Sequence, residues 1–210
     1  MRVAYLHGFA SSPKTKKGLA LRAHLAARGI ALALPDLNAP SFRALSFAAM
    51  LERVDRLDAE EGDDEGWILV GSSLGGWLAA RWAERRPARV RALLLLCPAF
   101  DVAGRWAALL PPGALERWRR EGALPFANGA GELEPVHYAF FEEAGREAAF
   151  PAPACPTCVL HGVRDERVPI ESSRAYAAAH PNVTLVEVDD GHELAASLPI
   201  IEAELARLLA

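Results

Sequence analysis

The sequence predicts an α/β fold built on a mostly parallel six-stranded sheet flanked by helices, and three observations lead there. Short apolar runs alternate with longer amphipathic stretches along most of the 210 residues. The runs are close to continuously apolar, which suits strands buried on both faces of a parallel sheet. Strand and helix then follow one another in turn, the pattern of parallel strands joined by crossover helices.

Taken in order, the strand candidates are 3–7 (VAYLH), 30–34 (IALAL), 67–71 (WILVG), 90–97 (VRALLLLC), 157–161 (TCVLH) and 183–188 (VTLVEV). Residues 15–28 read as a helix ending at Gly29, a residue suited to the left-handed position after a last turn. Residues 42–58 read as a helix with Ser41 as N-cap. In 75–86, Leu74, Leu78 and Trp82 stand four apart on one face, and Pro87 stops the run. Helices at 170–179 and 199–209 complete the set; the last carries Ile201, Leu205 and Leu208 at helical spacing, with Pro199 in its tolerant first turn. The alternation breaks once, between Asp101 and about Phe150, in a stretch rich in Gly, Pro and aromatic residues. It reads as short helical pieces forming a lid-like insertion over the sheet's edge. The expectation is one domain, 1–210, with a core from 1–100 and 151–210 and the insertion at about 101–150.

Composition narrows the function. With 51% hydrophobic and 24% charged residues the chain has material for one sizeable core. Net charge is −4 and no long basic run occurs, which argues against a nucleic-acid partner. Arg117, Arg119 and Arg120 read as a solvated helix face. No apolar stretch approaches the ~18 residues of a membrane span. Residues 1–8 already read as a strand running into a motif, so the expected location is cytoplasmic. Cys155 and Cys158 form a Cys-Pro-Thr-Cys element that leads into a strand, not a helix N-terminus, which disfavours a redox pair. With no second such pair or spaced His pair, no metal site is expected. Cys97 reads as a small buried apolar group.

The chemistry concentrates in Gly71-Ser72-Ser73-Leu74-Gly75, set between a strand and a helix. A nucleophile on so sharp a strand-to-helix turn sits in a strained conformation, and glycines two residues either side remove the clash. The helix N-terminus also places free N–H groups beside the developing negative charge. Serine needs a base, and the base needs a carboxylate to fix its tautomer. Asp165, in HGVRDERVP after the fifth strand, and His192, in Asp190-Gly-His192 after the sixth, follow in that order. Both loops leave the carboxyl ends of strands, where open parallel sheets take ligands. Asp101 is an alternative acid, whereas Glu166, Asp189 and Asp190 read as turn-formers or solvated charges. The first βα loop, Tyr5-Leu-His7-Gly-Phe9-Ala-Ser-Ser-Pro13, is expected to lend the Phe9 N–H to an oxyanion hole with that of Leu74. His7 is expected to order this loop and, with Trp106 and Phe140, is a candidate for substrate contact. The insertion's aromatics, Trp118, Phe126, Tyr138 and Phe141 among them, form either an acyl pocket or the insertion's own core.

With these motifs quoted, YLHGFASSPKTKK followed by GSSLGG resembles the small bacterial α/β-hydrolases of the YqiA-type esterase family, most closely over 3–17 and 67–80. HGVRDERVP and DDGHE resemble the wider α/β-hydrolase pattern. The resemblance implies an α/β-hydrolase fold and hydrolysis of a small-molecule carboxylic ester or thioester without a cofactor. It gives Ser73, Asp165 and His192 the roles argued above. C–C bond hydrolysis or acyl transfer on the same triad, and a non-catalytic binding protein, remain alternatives. Monomer and homodimer are equally compatible with the sequence.

Overall fold

The computed structural model describes residues 2–61 and 65–210, so Met1 and 62–64 lie outside the described residues. The chain opens with strand β1 (Arg2–Leu6), helix α1 (Lys16–Ala26), the short β2 (Leu32–Ala33) and α2 (Phe47–Glu61). Strand β3 (Trp67–Ser72), α3 (Leu74–Arg85) and β4 (Val90–Leu96) follow. The insertion holds α4 (Val102–Leu109), α5 (Ala114–Glu121), β5 (Ala123–Ala127), β6 (Leu133–His137) and α6 (Ala139–Ala144). Strand β7 (Thr157–Gly162), α7 (Ile170–Ala179), β8 (Val183–Val188) and α8 (Leu198–Leu209) return to the core.

Six strands form one sheet in the order β2-β1-β3-β4-β7-β8, with every pairing parallel. The inner strands β1, β3 and β7 are buried along their whole length, as their unbroken apolar runs require, while β8 at the edge is mostly half-exposed. Leu21 and Leu25 of α1 pack with Ile201 and Leu205 of α8 on one face. Leu51 and Val54 of α2, Leu78 and Trp82 of α3 and Tyr176 of α7 pack on the other. From β1 the chain goes outward to β2 and then back past β1 to β3. That reversal opens a crevice at the carboxyl ends of β1 and β3, where ligands bind in sheets of this type.

Three expectations need correction. The second strand spans two residues, not 30–34, and pairs only Val3 with Leu32 and Ala4 with Ala33. Ser41 closes its own turn, its Oγ accepting from the Ala44 N–H at 3.2 Å, and does not cap α2. The helix starts five residues later, where Glu143 of the insertion accepts from the Phe47 N–H at 2.7 Å and the Ser46 hydroxyl at 2.9 Å. Ser46 is the local cap, its Oγ accepting from the Ala49 N–H at 3.3 Å, and Glu143 reinforces it from across the fold.

The insertion is the third. It is not purely helical, because β5 and β6 form an antiparallel hairpin in which Leu124 faces Val136 and Pro125 faces Pro135. A proline inside each strand reads as a breaker, yet a two-stranded ribbon leaves edge positions where a missing N–H breaks no ladder. Asn128 sets the turn, its side-chain oxygen accepting from the N–H groups of Ala130 and Glu132 at 2.8 and 3.0 Å. The insertion also packs inward, onto Phe9 of the loop after β1, with Trp106, Phe126 and Phe140 ring centroids 4.9–5.9 Å from that ring.

Candidate active site

Ser73 stands between β3 and α3 with φ 55° and ψ −119°, a conformation that side-chain-bearing residues seldom adopt. Such strain persists only where the surroundings over-determine it. Here the Ser73 N–H donates to the Leu96 carbonyl at 2.9 Å, and its own carbonyl accepts from the N–H groups of Gly76, Trp77 and Ala99 at 2.9, 3.2 and 3.0 Å. Glycine is required on both sides. A Cβ on Gly71 would stand 2.3 Å from the Gly75 carbonyl oxygen, and one on Gly75 would stand 2.1 Å from that of Leu6.

The Gly75 contact packs the elbow against the end of β1. From there Gly8 reaches Ser73, and a Cβ at Gly8 would lie 3.7 Å from Ser73 Oγ. Phe9 follows directly and lines the same cavity as Ser73. Among the described residues, neither the Phe9 nor the Leu74 N–H donates to a protein acceptor.

Asp165 and His192 meet at this cavity. His192 Nδ1 lies 2.7 Å from Asp165 Oδ2, and His192 lines the cavity together with Ser73. Asp165's other oxygen accepts from the N–H groups of Arg167 and Val168, both at 2.8 Å. Burial pushes this carboxyl up, but hydrogen bonds from His161, His192 and the Val168 N–H outweigh it and hold it well below the usual carboxylate range. It is therefore an anion at neutral pH, fixed where it can orient an imidazole and stabilise its protonated form.

Two buried residues, His161 and Asp190, support this arrangement. His161, fully buried at the end of β7, lies 3.2 Å from Asp165 Oδ2 and 2.8 Å from the Val168 carbonyl through Nε2. Its Nδ1 meets the Ser173 hydroxyl at 2.7 Å. A neutral ring with its proton on Nε2 satisfies these partners and ties the acid loop to α7. Its place four residues before Asp165 was visible, but its partner Ser173 was not. Asp190 is buried, not solvated. Its carboxylate accepts from Gly191 N–H at 2.8 Å, Ala196 N–H at 2.8 Å, and Ser197 N–H and Oγ at 3.0 and 2.9 Å. It thereby shapes the loop that carries His192.

Asp101, the alternative acid, caps α4 by accepting from the Gly104 N–H at 3.2 Å. Of the three candidates for substrate contact, Trp106 lines the cavity. His7 and Phe140 do not. His7 is buried beneath the loop, Nδ1 2.9 Å from the Gly8 carbonyl and Nε2 accepting from the Leu37 N–H at 3.0 Å. That is the loop-ordering role, and it leaves no ring nitrogen for a substrate. Phe140 is fully buried and stacks on Phe47 and Phe9 at 4.8 and 5.9 Å.

Cys97 was expected to be a small buried group. It is buried, but its sulfur also lies within 4.8 Å of ligand atoms of Asp165 and His192. These three could in principle hold a metal. Burial pushes the Cys97 thiol well up, however, and the Asp165–His192 hydrogen bond already occupies both groups. Cys155 and Cys158 are unpaired and lie in the cores on opposite faces of the sheet. Burial raises both thiols, Cys158 to about 12, the reverse of a redox-active pair.

The cavity measures about 970 Å³. Its walls combine apolar side chains such as Phe9, Val102, Trp106 and Leu109 with a few polar groups around Ser73, the make-up of a small-molecule site. Among the described residues, no helix is long and apolar enough to cross a membrane.

Comparison with known proteins agrees with this architecture. Residues 2–208 match the uncharacterised protein family UPF0227. Rat palmitoyl-protein thioesterase ABHD10, mitochondrial, is 33% identical over 126 residues, covering 57% of this chain and 42% of the rat protein. This chain thus matches less than half the length of that relative. The solved structure of mouse alpha/beta hydrolase domain-containing protein 10 superposes with a TM-score of 0.79 at 24% identity, covering 99% of this chain and 88% of that one. Est1E from Butyrivibrio proteoclasticus with ferulic acid bound gives a TM-score of 0.80 at 18% identity, covering 100% and 90%. The fold is that of the α/β-hydrolases.

Proposed function

The chain belongs to the UPF0227 family, and on that premise we propose that it is a serine hydrolase of carboxylic esters or thioesters. Ser73 is the nucleophile, His192 the base and Asp165 the group that orients the base. The observation that carries the reading is the 2.7 Å Asp165–His192 pair opening onto the same cavity as a strained, glycine-flanked serine. A packing role explains neither the strain nor the buried anion.

In the reaction, Ser73 Oγ attacks the carbonyl carbon and His192 takes the hydroxyl proton. The developing oxyanion is met by the N–H groups of Phe9 and Leu74, which have no protein acceptor among the described residues. Collapse of the tetrahedral intermediate breaks the bond to the leaving oxygen or sulfur, which receives the proton from His192. Water then attacks the acyl-enzyme, His192 accepts its proton, and the carboxylic acid leaves with Ser73 restored. The thioester half of the reading draws support from the thioesterase to which the chain is similar. The expected cytoplasmic setting belongs to the same proposal, and three unpaired cysteines suit a reducing compartment.

A p-nitrophenyl ester series from short to long acyl chains, with wild type and Ser73→Ala side by side, tests the reading. Turnover by the wild type should fall on the order of 10³-fold or more in the variant. Equal rates in the two proteins, or no turnover of any ester or thioester by either, would overturn it.

A further inference from the structure

The chain carries a net charge of −4, yet the cavity around Ser73 reverses that sign. Lys16, Lys17, Arg105 and Arg167 line it against one carboxylate, Glu193. That carboxylate is shared, lying 3.3 Å from Lys17 Nζ and 3.3 Å from Arg167 Nη1. Lys16 and Arg105 have no ion-pair partner among the described residues.

Arg105 is the informative member. It sits on α4 beside Trp106, half-buried, and its guanidinium donates to the Arg167 carbonyl. Burial pulls its pKa down against the more distant pull of Asp165 and Asp101, so this half-buried cation has lost part of its water with no carboxylate paired to it. A guanidinium stays protonated regardless, and it keeps unused donors in a planar fork that matches a carboxylate or phosphate. A partly desolvated cation without a paired carboxylate carries some cost in a fold. An anionic ligand arriving in the cavity offsets that cost, and the excess of positive charge draws such a ligand in.

Resting on the serine-hydrolase reading, we propose that the substrate is an ester or thioester bearing a carboxylate or phosphate, and that Arg105 selects it. The apolar wall of Phe9, Trp106 and Leu109 holds the uncharged part of the molecule.

The test compares kcat/KM for 4-nitrophenyl valerate with three anionic counterparts of similar length. These are mono-4-nitrophenyl glutarate, 4-carboxyphenyl valerate and 4-phosphophenyl valerate, which place the charge on the acyl or the leaving group and separate carboxylate from phosphate. Wild type should prefer at least one anionic ester. Arg105→Met should lower that anionic-to-neutral ratio by about tenfold or more, mainly through KM, and Arg105→Lys should keep part of it. The wild-type ratio should also shrink with added salt, a readout that needs no variant. A preference for the neutral ester over all three, or a ratio indifferent to both salt and Arg105→Met, overturns the inference. If neutral-ester turnover still depends on Ser73, the hydrolase reading stands without it. If no ester is turned over at all, both fall.

Discussion

Ser73, Asp165 and His192 sit on loops whose backbone is tied down atom by atom, whereas the insertion above them is held by ring packing. At Ser73 four backbone hydrogen bonds and two glycines that admit no Cβ fix one conformation. At Asp165 four groups converge on one carboxylate. In the insertion, Trp106, Phe126 and Phe140 meet Phe9, and Trp106 also meets Trp118, Phe126 and Phe140, at centroid distances of 4.9–5.9 Å. Directional bonds tolerate almost no substitution without loss of function. Ring packing tolerates exchange of shape for shape. The proposed chemistry therefore falls where geometry is over-determined, and the proposed substrate fit where packing can be retuned.

The sharpest way to break the first half of the comparison is Asp165→Asn. The amide keeps the size of the side chain but cannot hold the proton of His192 on Nδ1, so the proposed base presents the wrong tautomer to Ser73. Ester turnover should drop on the order of 10⁴-fold, with the loss in kcat rather than KM. Steady-state kinetics with thermal unfolding alongside checks it. A loss that only tracks a collapsed melting temperature would mean that Asp165 serves the fold alone.

The second half is probed by two aromatic truncations that should behave differently. Phe140 is fully buried, so Phe140→Ala should destabilise the chain by about 3–5 kcal/mol in denaturant unfolding. Trp106 is only partly buried and lines the cavity, so Trp106→Ala should act on acyl-chain preference more than on stability. Similar stability losses and an unchanged chain-length profile in both would make Trp106 one more core ring.

The same contrast explains what could be read from the sequence. The elbow was legible because its cause is local: glycines two residues either side of a serine are forced by the turn itself. The Asp and His loops were legible through chain order and their position after strands. The hairpin at 123–137 was not, since prolines that break an interior strand are harmless in an isolated ribbon. Nor was the reinforcement of the Ser46 cap of α2 by Glu143, 96 residues away from Phe47. Asp190 bonds to residues no more than seven positions away and was a loop-former within reach of the sequence, whereas the partners of His161 and the position of Cys97 beside Asp165 and His192 depend on how the folded chain assembles. A substrate contact at His7 was mistaken for the same reason, because its second partner is the backbone of Leu37.

His7 gives the smallest effect and a test of how far the over-determined region extends. Burial lowers its pKa, outweighing the Gly8 carbonyl and Asp36, which favour the charged ring. The neutral ring donates from Nδ1 to Gly8 and accepts at Nε2 from Leu37; protonation would set two N–H groups against each other at Nε2. As pH falls, the unfolded chain takes up this proton first, near the ordinary value of about 6.5. The stability contributed by neutral His7 is therefore complete above that value and lost as pH falls through the lower folded-state value. Urea unfolding of wild type and His7→Gln, from about pH 8 down to about pH 5, should show the wild type losing more stability than the variant. Parallel slopes would mean that the ring's protonation is not coupled to the fold, and that the tightly determined region stops at Gly8.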